Sequence, residues 1–164
     1  MEPKYLTTYT CELLPLSNNK PIYYRKDNPS IVIKEFSDLE AMKKELDLQL
    51  EAQMFVPCPK IVDNFVESNK GYIAMNRIFG DSVYTRYGDD PKKVPKTIWK
   101  QIYAIVSKLY FKDIHYVDIT SFNFIIDANE IVHIIDFGDA YKMKVNWFLK
   151  DFLDGEISWN PDFE

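Results

Sequence analysis

Asp118, Asn123 and Asp136 are three oxygen-bearing side chains in the stretch D-I-T-S-F-N-F-I-I-D-A-N-E-I-V-H-I-I-D-F-G, residues 118–138. Two apolar, β-rich runs lie between Asn123 and Asp136: Phe124-Ile125-Ile126 and residues 131–135. The segment joining them, Asp127-Ala128-Asn129-Glu130, has turn chemistry, so the stretch reads as a β-hairpin. A hairpin returns the chain close to its start. It therefore brings Asp136 near Asn123, with Asp118 just upstream. Hard oxygen ligands of this kind suit Mg²⁺, which usually takes one or two carboxylates and leaves its other positions to waters and phosphates. The plain alternative is a buried hairpin flanked by solvated acids.

The spacing carries more than the residue types. Asn123 follows Asp118 by five residues, and Asp136-Phe137-Gly138 begins thirteen further on. This arrangement resembles the catalytic loop and metal loop of protein kinases. The resemblance implies that Asp118 accepts the proton of an acceptor hydroxyl, and that Asn123 and Asp136 hold Mg²⁺ against ATP. Two departures stand beside it. The family's His-Arg-Asp is here Tyr116-Val117-Asp118, with a histidine displaced to position 115, and Val117 cannot read a phosphorylated activation loop. The second residue after Asp118 is Thr120, where Ser/Thr kinases commonly have lysine.

Elements upstream must position the rest of such a site. Residues 5–36 read as three strands separated by Ser17-Asn18-Asn19-Lys20 and Asp27-Asn28-Pro29-Ser30. The third strand, Ile31-Val32-Ile33-Lys34-Glu35-Phe36, carries Lys34 within an apolar run. The resemblance makes Lys34 the lysine that pairs with the α/β-phosphates. Residues 37–55 read as a helix, opened by the capping box Ser37-Asp38-Leu39-Glu40 with Ser37 as N-cap, and carrying the apolar stripe Leu39, Met42, Leu46 and Leu50. The family places on this helix a glutamate that pairs with the strand lysine; Glu40, Glu45 and Glu51 are candidates. The run Glu45-Leu46-Asp47-Leu48-Gln49, followed by Pro59-Lys60-Ile61, resembles the E-h-E-h-Q…P-K-I pattern of the minimal kinase-like proteins of large DNA viruses, and it selects Glu45.

Residues 61–67 and 72–79 read as two further strands. The second resembles the last small-lobe strand and hinge, with Met75 as gatekeeper and the backbone of Asn76 and Ile78 meeting the adenine edge. Residues 81–95, polar and holding two prolines, read as a linker between lobes. Residues 94–111 read as a helix with Ile98, Ile102, Val106 and Leu109 on one face. Its aromatic residues, Trp99, Tyr103 and Tyr110, are core more often than a base-stacking platform. Residues 145–153 read as a short amphipathic helix stopped by Gly155, and the aromatic stretch of residues 157–163 reads as folding back over the large lobe. A Gly-rich loop over the phosphates is expected between the first two strands, yet the first of the five glycines is Gly71. The helices and Ala-Pro-Glu triplet that follow the metal loop in ordinary kinases are also missing from the sequence.

The 164 residues suffice for one domain with a real core, and 46% apolar with 15% aromatic residues argues for a folded globule. A net charge of −5 supplies no global basic field to draw in nucleic acid. Two cysteines, Cys11 and Cys58, form no disulfide framework and lack metal-ligand spacing. No apolar run approaches the ~20 residues of a membrane span, so the expectation is an intracellular, cytoplasmic protein, in a host cell or virion if the viral resemblance holds. The whole reads as one α+β, bilobal kinase-like domain. Residues 1–80 are a β-rich small lobe and hinge, and residues 81–164 a truncated, mainly helical large lobe. The implied activity is ATP- and Mg²⁺-dependent phosphotransfer, Ser/Thr-directed, with a small-molecule acceptor as a variant. The alternative is a pseudokinase acting as a nucleotide-sensing or protein-binding regulator of another kinase or host factor.

Overall fold

The computed structural model describes the backbone of residues 11–13 and, in full, residues 21–143, 152–153 and 159–160. The fold is α+β, built on antiparallel sheets with few helices. The chain divides into two compact units, residues 1–50 with 59–77 and residues 51–58 with 78–164.

The first unit is a five-stranded antiparallel sheet with a helix. Its strands are β1 (Cys11–Leu13), β2 (Ile22–Arg25), β3 (Ile31–Phe36), β4 (Ile61–Glu67) and β5 (Lys70–Asn76), in the order β1-β2-β3-β5-β4. Ser68 and Asn69 join β4 to β5 at φ 51° and 63°, the left-handed pair that matches strand twist in a two-residue hairpin. Alternation along β3 sends successive side chains to opposite faces. Val32 and Phe36 join Met42, Ile73 and Met75 beneath helix α1 (Leu39–Ala52). Ile31 and Ile33 join Tyr72, Ala74 and Phe65 on the other face. Glu35 lies on that second face, buried, where Lys70 Nζ (2.6 Å) and the Tyr72 hydroxyl (3.1 Å) donate to it.

Two readings of α1 need correction. Its N-cap is Asp38, not Ser37: Asp38 Oδ1 accepts from the N–H of Glu40 (2.9 Å) and Ala41 (3.3 Å). The shorter reach of a residue adjoining the first turn decides between two capping types. The inward face is also rotated. Met42, Glu45, Leu48, Gln49 and Ala52 are buried, while Leu39 and Leu50 are exposed. Polar Glu45 and Gln49 thus occupy positions that an amphipathic stripe would give to leucine.

In the second unit, β6 (Gly80–Ser82), β8 (Phe124–Asp127) and β9 (Val132–Ile134) form a three-stranded sheet in the order β6-β8-β9. A two-stranded ladder pairs β7 (Ile114–His115) with β10 (Tyr141–Lys142). The expected linker is instead folded structure. It supplies β6, helix α2 (Val83–Tyr87) and a single 3-10 turn at Pro91–Lys93. Ser82 caps α2 by accepting from Thr85 N–H at 3.0 Å, and Val83 is fully buried. Helix α3 (Lys96–Phe111) starts after Pro95 and buries Ile98, Ile102, Ile105, Val106 and Leu109. Trp99 and Tyr103 on α3 meet Phe152 at centroid distances of 6.3 and 4.9 Å, and Trp159 meets Trp99 at 4.5 Å. The aromatic stretch therefore packs onto this unit at residue 159. Residues 157, 158 and 161–163 of that stretch, most of the expected helix at 145–153, Gly155, and the turn at 17–20 lie outside the described residues. Among the described residues no helix is long and apolar enough to cross a membrane.

Gly80 fixes how closely β6 can approach β8. A Cβ at this position would lie 2.1 Å from the Ile126 carbonyl oxygen, a backbone atom that cannot swing aside. Gly80→Ala should lower stability by about 1–3 kcal/mol, seen as a drop of several degrees in the melting temperature. Calorimetry of the variant checks this, and an unchanged melting temperature would mean that β6 is not seated on β8 as described.

Candidate functional site

In the first unit the chemistry centres on Lys34. β3 directs its side chain toward α1, where Nζ lies 2.5 Å from Glu45 Oε1. Of the three glutamates considered, the helix brings Glu45 to the lysine. The lysine side chain is 6% exposed and the glutamate side chain 1%. Charges this deeply buried are tolerated only when paired, because each gives up its hydration. Four residues further along the same face, Gln49 donates from Nε2 to the Pro59 carbonyl at 2.8 Å, tying the helix to the segment that enters β4. This contact gives a physical meaning to the ten-residue spacing between Gln49 and Pro59. Met75 is buried in the cluster beneath α1, its sulfur 3.6 Å from Gln49 Nε2. The Asn76 N–H donates to the Lys60 carbonyl at 2.9 Å. The N–H of Asn76 is therefore already committed. In the second unit, Ile78 is half-buried and lies outside any strand or helix.

The second unit carries Asp118, Asn123 and Asp136. β8 and β9 pair antiparallel, with Phe124 opposite Ile134, and the ladder continues as Ile135 N–H donates to the Asn123 carbonyl at 2.9 Å. The turn is closed by Asp127, whose Oδ1 accepts from the N–H of Asn129 (2.8 Å) and Ile131 (3.0 Å). Hairpin closure thus places the residue before Asp136 against Asn123. Upstream, residues 118–123 form a tight loop. Thr120 N–H and Asn123 Nδ2 both donate to the Asp118 carbonyl at 3.0 Å. The amide nitrogen of Asn123 is committed there, so its oxygen is the donor atom it can offer to a cation.

Asp136 sits at φ 61°, in the left-handed region, which aspartate enters more readily than most residues. Its neighbours hold it there. Gly138 N–H donates to Asp136 Oδ1 at 3.0 Å. Phe137 is fully buried, edge-on to Tyr116 at 5.5 Å, and the Tyr116 hydroxyl donates to the Ile135 carbonyl at 2.6 Å. Tyr116, at the first position of the Tyr-Val-Asp triplet, therefore links the two loops. Sequence reasoning assigned no role to Tyr116 or to Gln49. The signal for both was their place beside motif residues.

Burial pushes the Asp118 carboxyl up to about 6; the Asn123 side chain opposes that shift, and the negative charges of Asp136 and Asp139 reinforce it. A carboxyl in that range titrates near neutrality, as a general base should. Among the described residues, no three His, Cys, Asp or Glu side chains converge into a cluster that could hold a metal on its own.

The raised value has a sign. The folded state binds a proton at Asp118 more tightly than the unfolded chain, whose group titrates near 3.8. Its contribution to stability is complete below that value and is lost as pH rises through about 6. In metal-free buffer, Asp118→Asn should therefore melt above the wild type at pH 7, and the gap should close toward pH 4. Melting curves of both proteins between pH 4 and 8 test this; a gap that does not vary with pH would assign the effect to packing. Compared with known proteins, the chain matches no protein-family model and no curated protein.

Proposed function

We propose that this chain is an ATP- and Mg²⁺-dependent phosphotransferase of the protein-kinase-like class. The observation that carries the reading is the buried Lys34–Glu45 pair. Buried ion pairs add little net stability over an apolar substitute, so a lysine held this way calls for a use. Here the use is charge: Lys34 neutralises phosphate oxygens and Glu45 aims it. The second unit offers the complementary chemistry. Asp118, titrating near 6, accepts the proton of an acceptor hydroxyl. Phosphoryl transfer of this kind relies on positioning and charge neutralisation more than on covalent catalysis by the protein.

The donor set fits Mg²⁺. Asn123 and Asp136 would hold it through one amide and one carboxylate oxygen, a small set that suits an ion which keeps several waters and binds substrate phosphates. When bound, the ion would neutralise charge on the phosphates. Met75 and the backbone of Asn76 and Ile78 are the proposed adenine contacts. The acceptor is proposed to be a Ser/Thr hydroxyl of a protein, and the setting a cytoplasmic one where ATP is abundant. A second reading has its own support: no glycine precedes Gly71, so the usual phosphate-covering loop is absent from the sequence. In that reading the chain binds a nucleotide or a protein partner and regulates without turnover.

Thermal shifts with ATP and Mg²⁺, separately and together, distinguish these readings. A ligand at 100 times its Kd stabilises by about 2.7 kcal/mol. The pair together should raise the melting temperature more than either alone. Asp136→Asn should lose the Mg²⁺-dependent part while folding normally, because asparagine also tolerates the left-handed backbone. Lys34→Met alone strands a buried glutamate and should cost about 3–5 kcal/mol. Lys34→Met with Glu45→Leu should recover most of that stability without recovering nucleotide binding. A wild type that shifts but transfers no phosphate supports the regulatory reading; one that neither shifts nor transfers sinks the proposal.

A further inference from the structure

Two hydrogen bonds from residue 160 land on either side of Asp118. Asn160 Nδ2 donates to the Val117 carbonyl at 2.6 Å, and its backbone N–H donates to the Ile119 carbonyl at 2.8 Å. Asn160 is 5% exposed, so both bonds are shielded from competing water. The segment is anchored by its neighbour. Trp159, 6% exposed, lies against Trp99 of α3 and 6.3 Å from Phe124 of β8. Residues 159–160 therefore rest on the helix that leads toward the loop and on the strand that leaves it.

The far end of the loop is tied to α2 and the turn after it, where the Ser121 carbonyl accepts from Tyr84 N–H at 2.9 Å and the Ser121 hydroxyl donates to Asp89 at 3.0 Å. The part around Asp118, by contrast, makes short-range bonds. Ile119 N–H donates to the Val117 carbonyl at 2.9 Å, and Thr120 N–H and Asn123 Nδ2 share the Asp118 carbonyl. Bonds of that kind fix the shape of a loop without fixing its place on the fold. Around Asp118 it is Asn160 that supplies the place, because its two donors grip the carbonyls before and after the residue whose carboxylate would act. We propose that Asn160 is a positioning residue for Asp118, and that the segment carrying it completes the candidate catalytic loop. The inference rests on the phosphotransferase reading for its consequence in rate. A misplacement of about 1 Å at a catalytic group can cost about 100-fold.

The side-chain chemistry makes the test sharp. Asn160→Asp keeps the volume, the backbone bond to Ile119 and Trp159, but turns a donor facing a carbonyl into an acceptor. Asn160→Ala removes the donor without adding charge, and serves if the aspartate variant folds poorly. The measurements are Mg-ATP hydrolysis with water as acceptor, melting temperature, and hydrogen–deuterium exchange. We expect kcat to fall about 10- to 100-fold while KM for ATP stays within about twofold and exchange quickens at residues 117–123 but not along α3. Unchanged kcat and exchange in both variants would overturn the proposal. So would a parallel loss of kcat, KM and melting temperature, which marks a general structural role. If the wild type hydrolyses no ATP, the phosphotransferase reading fails separately. The exchange result then decides whether Asn160 holds the loop: local quickening supports it and no change overturns it.

Discussion

A buried charge must find its counter-charge, and in the first unit this requirement fixes the helix. Lys34 and Glu45 meet at 2.5 Å with almost no access to water. Taking either ion out of water alone would cost several kcal/mol, so α1 can adopt only a rotation about its axis that brings Glu45 to β3. That rotation is the one that buries Gln49 and turns Leu50 outward. The hydrophobic contacts of Met42 with Phe36, Ile73 and Met75 are compatible with it, but they are non-directional and would accept neighbouring rotations. The ion pair selects among packings that burial alone leaves nearly equivalent.

The second unit meets the same demand with backbone groups instead of side-chain charges. A loop that carries Asp118 cannot use a strand or helix ladder, so its carbonyls need individual partners. Residues 119, 120 and 123 supply some, and Asn160 supplies two. The next loop is treated in the same way: Tyr116 takes the Ile135 carbonyl and Gly138 takes a carboxylate oxygen of Asp136. Irregular backbone at the candidate site is thus held by directional bonds, each to a named atom.

What the sequence made legible follows from how local each cause is. The β8–β9 hairpin was readable because two apolar, β-rich runs flank a polar turn that Asp127 closes with its own side chain. Helix α3 was readable from its apolar period. The cap of α1 was misplaced by one residue because Ser37 and Asp38 are both good caps and Glu40 completes a box with the wrong one. Its inner stripe was misread because periodicity counts leucines, whereas the ion pair sets the rotation. Strand β6 was hidden because Gly80-Asp81-Ser82 has no apolar signal; pairing with β8 defines it. Asn160 left no trace, because its partner is a backbone carbonyl 43 residues away. Locally caused features could be read from the chain, and those caused by a distant backbone atom could not.

The backbone at Asp136 adds a further reason to treat this corner as more than a hairpin exit. A non-glycine residue in the left-handed region costs of order 1 kcal/mol, and turns that need this geometry usually take glycine or asparagine. Aspartate places a negative charge there as well as an acceptor for the Gly138 N–H. The charge is in fact unfavourable locally, because it raises the cost of ionising Asp118. Phe137, fully buried beside Tyr116, and the hydroxyl bond to Ile135 hold the exposed carboxylate in place despite that repulsion. The corner thus keeps, at a left-handed backbone position, an acid that opposes the ionisation of Asp118, and directional bonds around it hold that backbone in place.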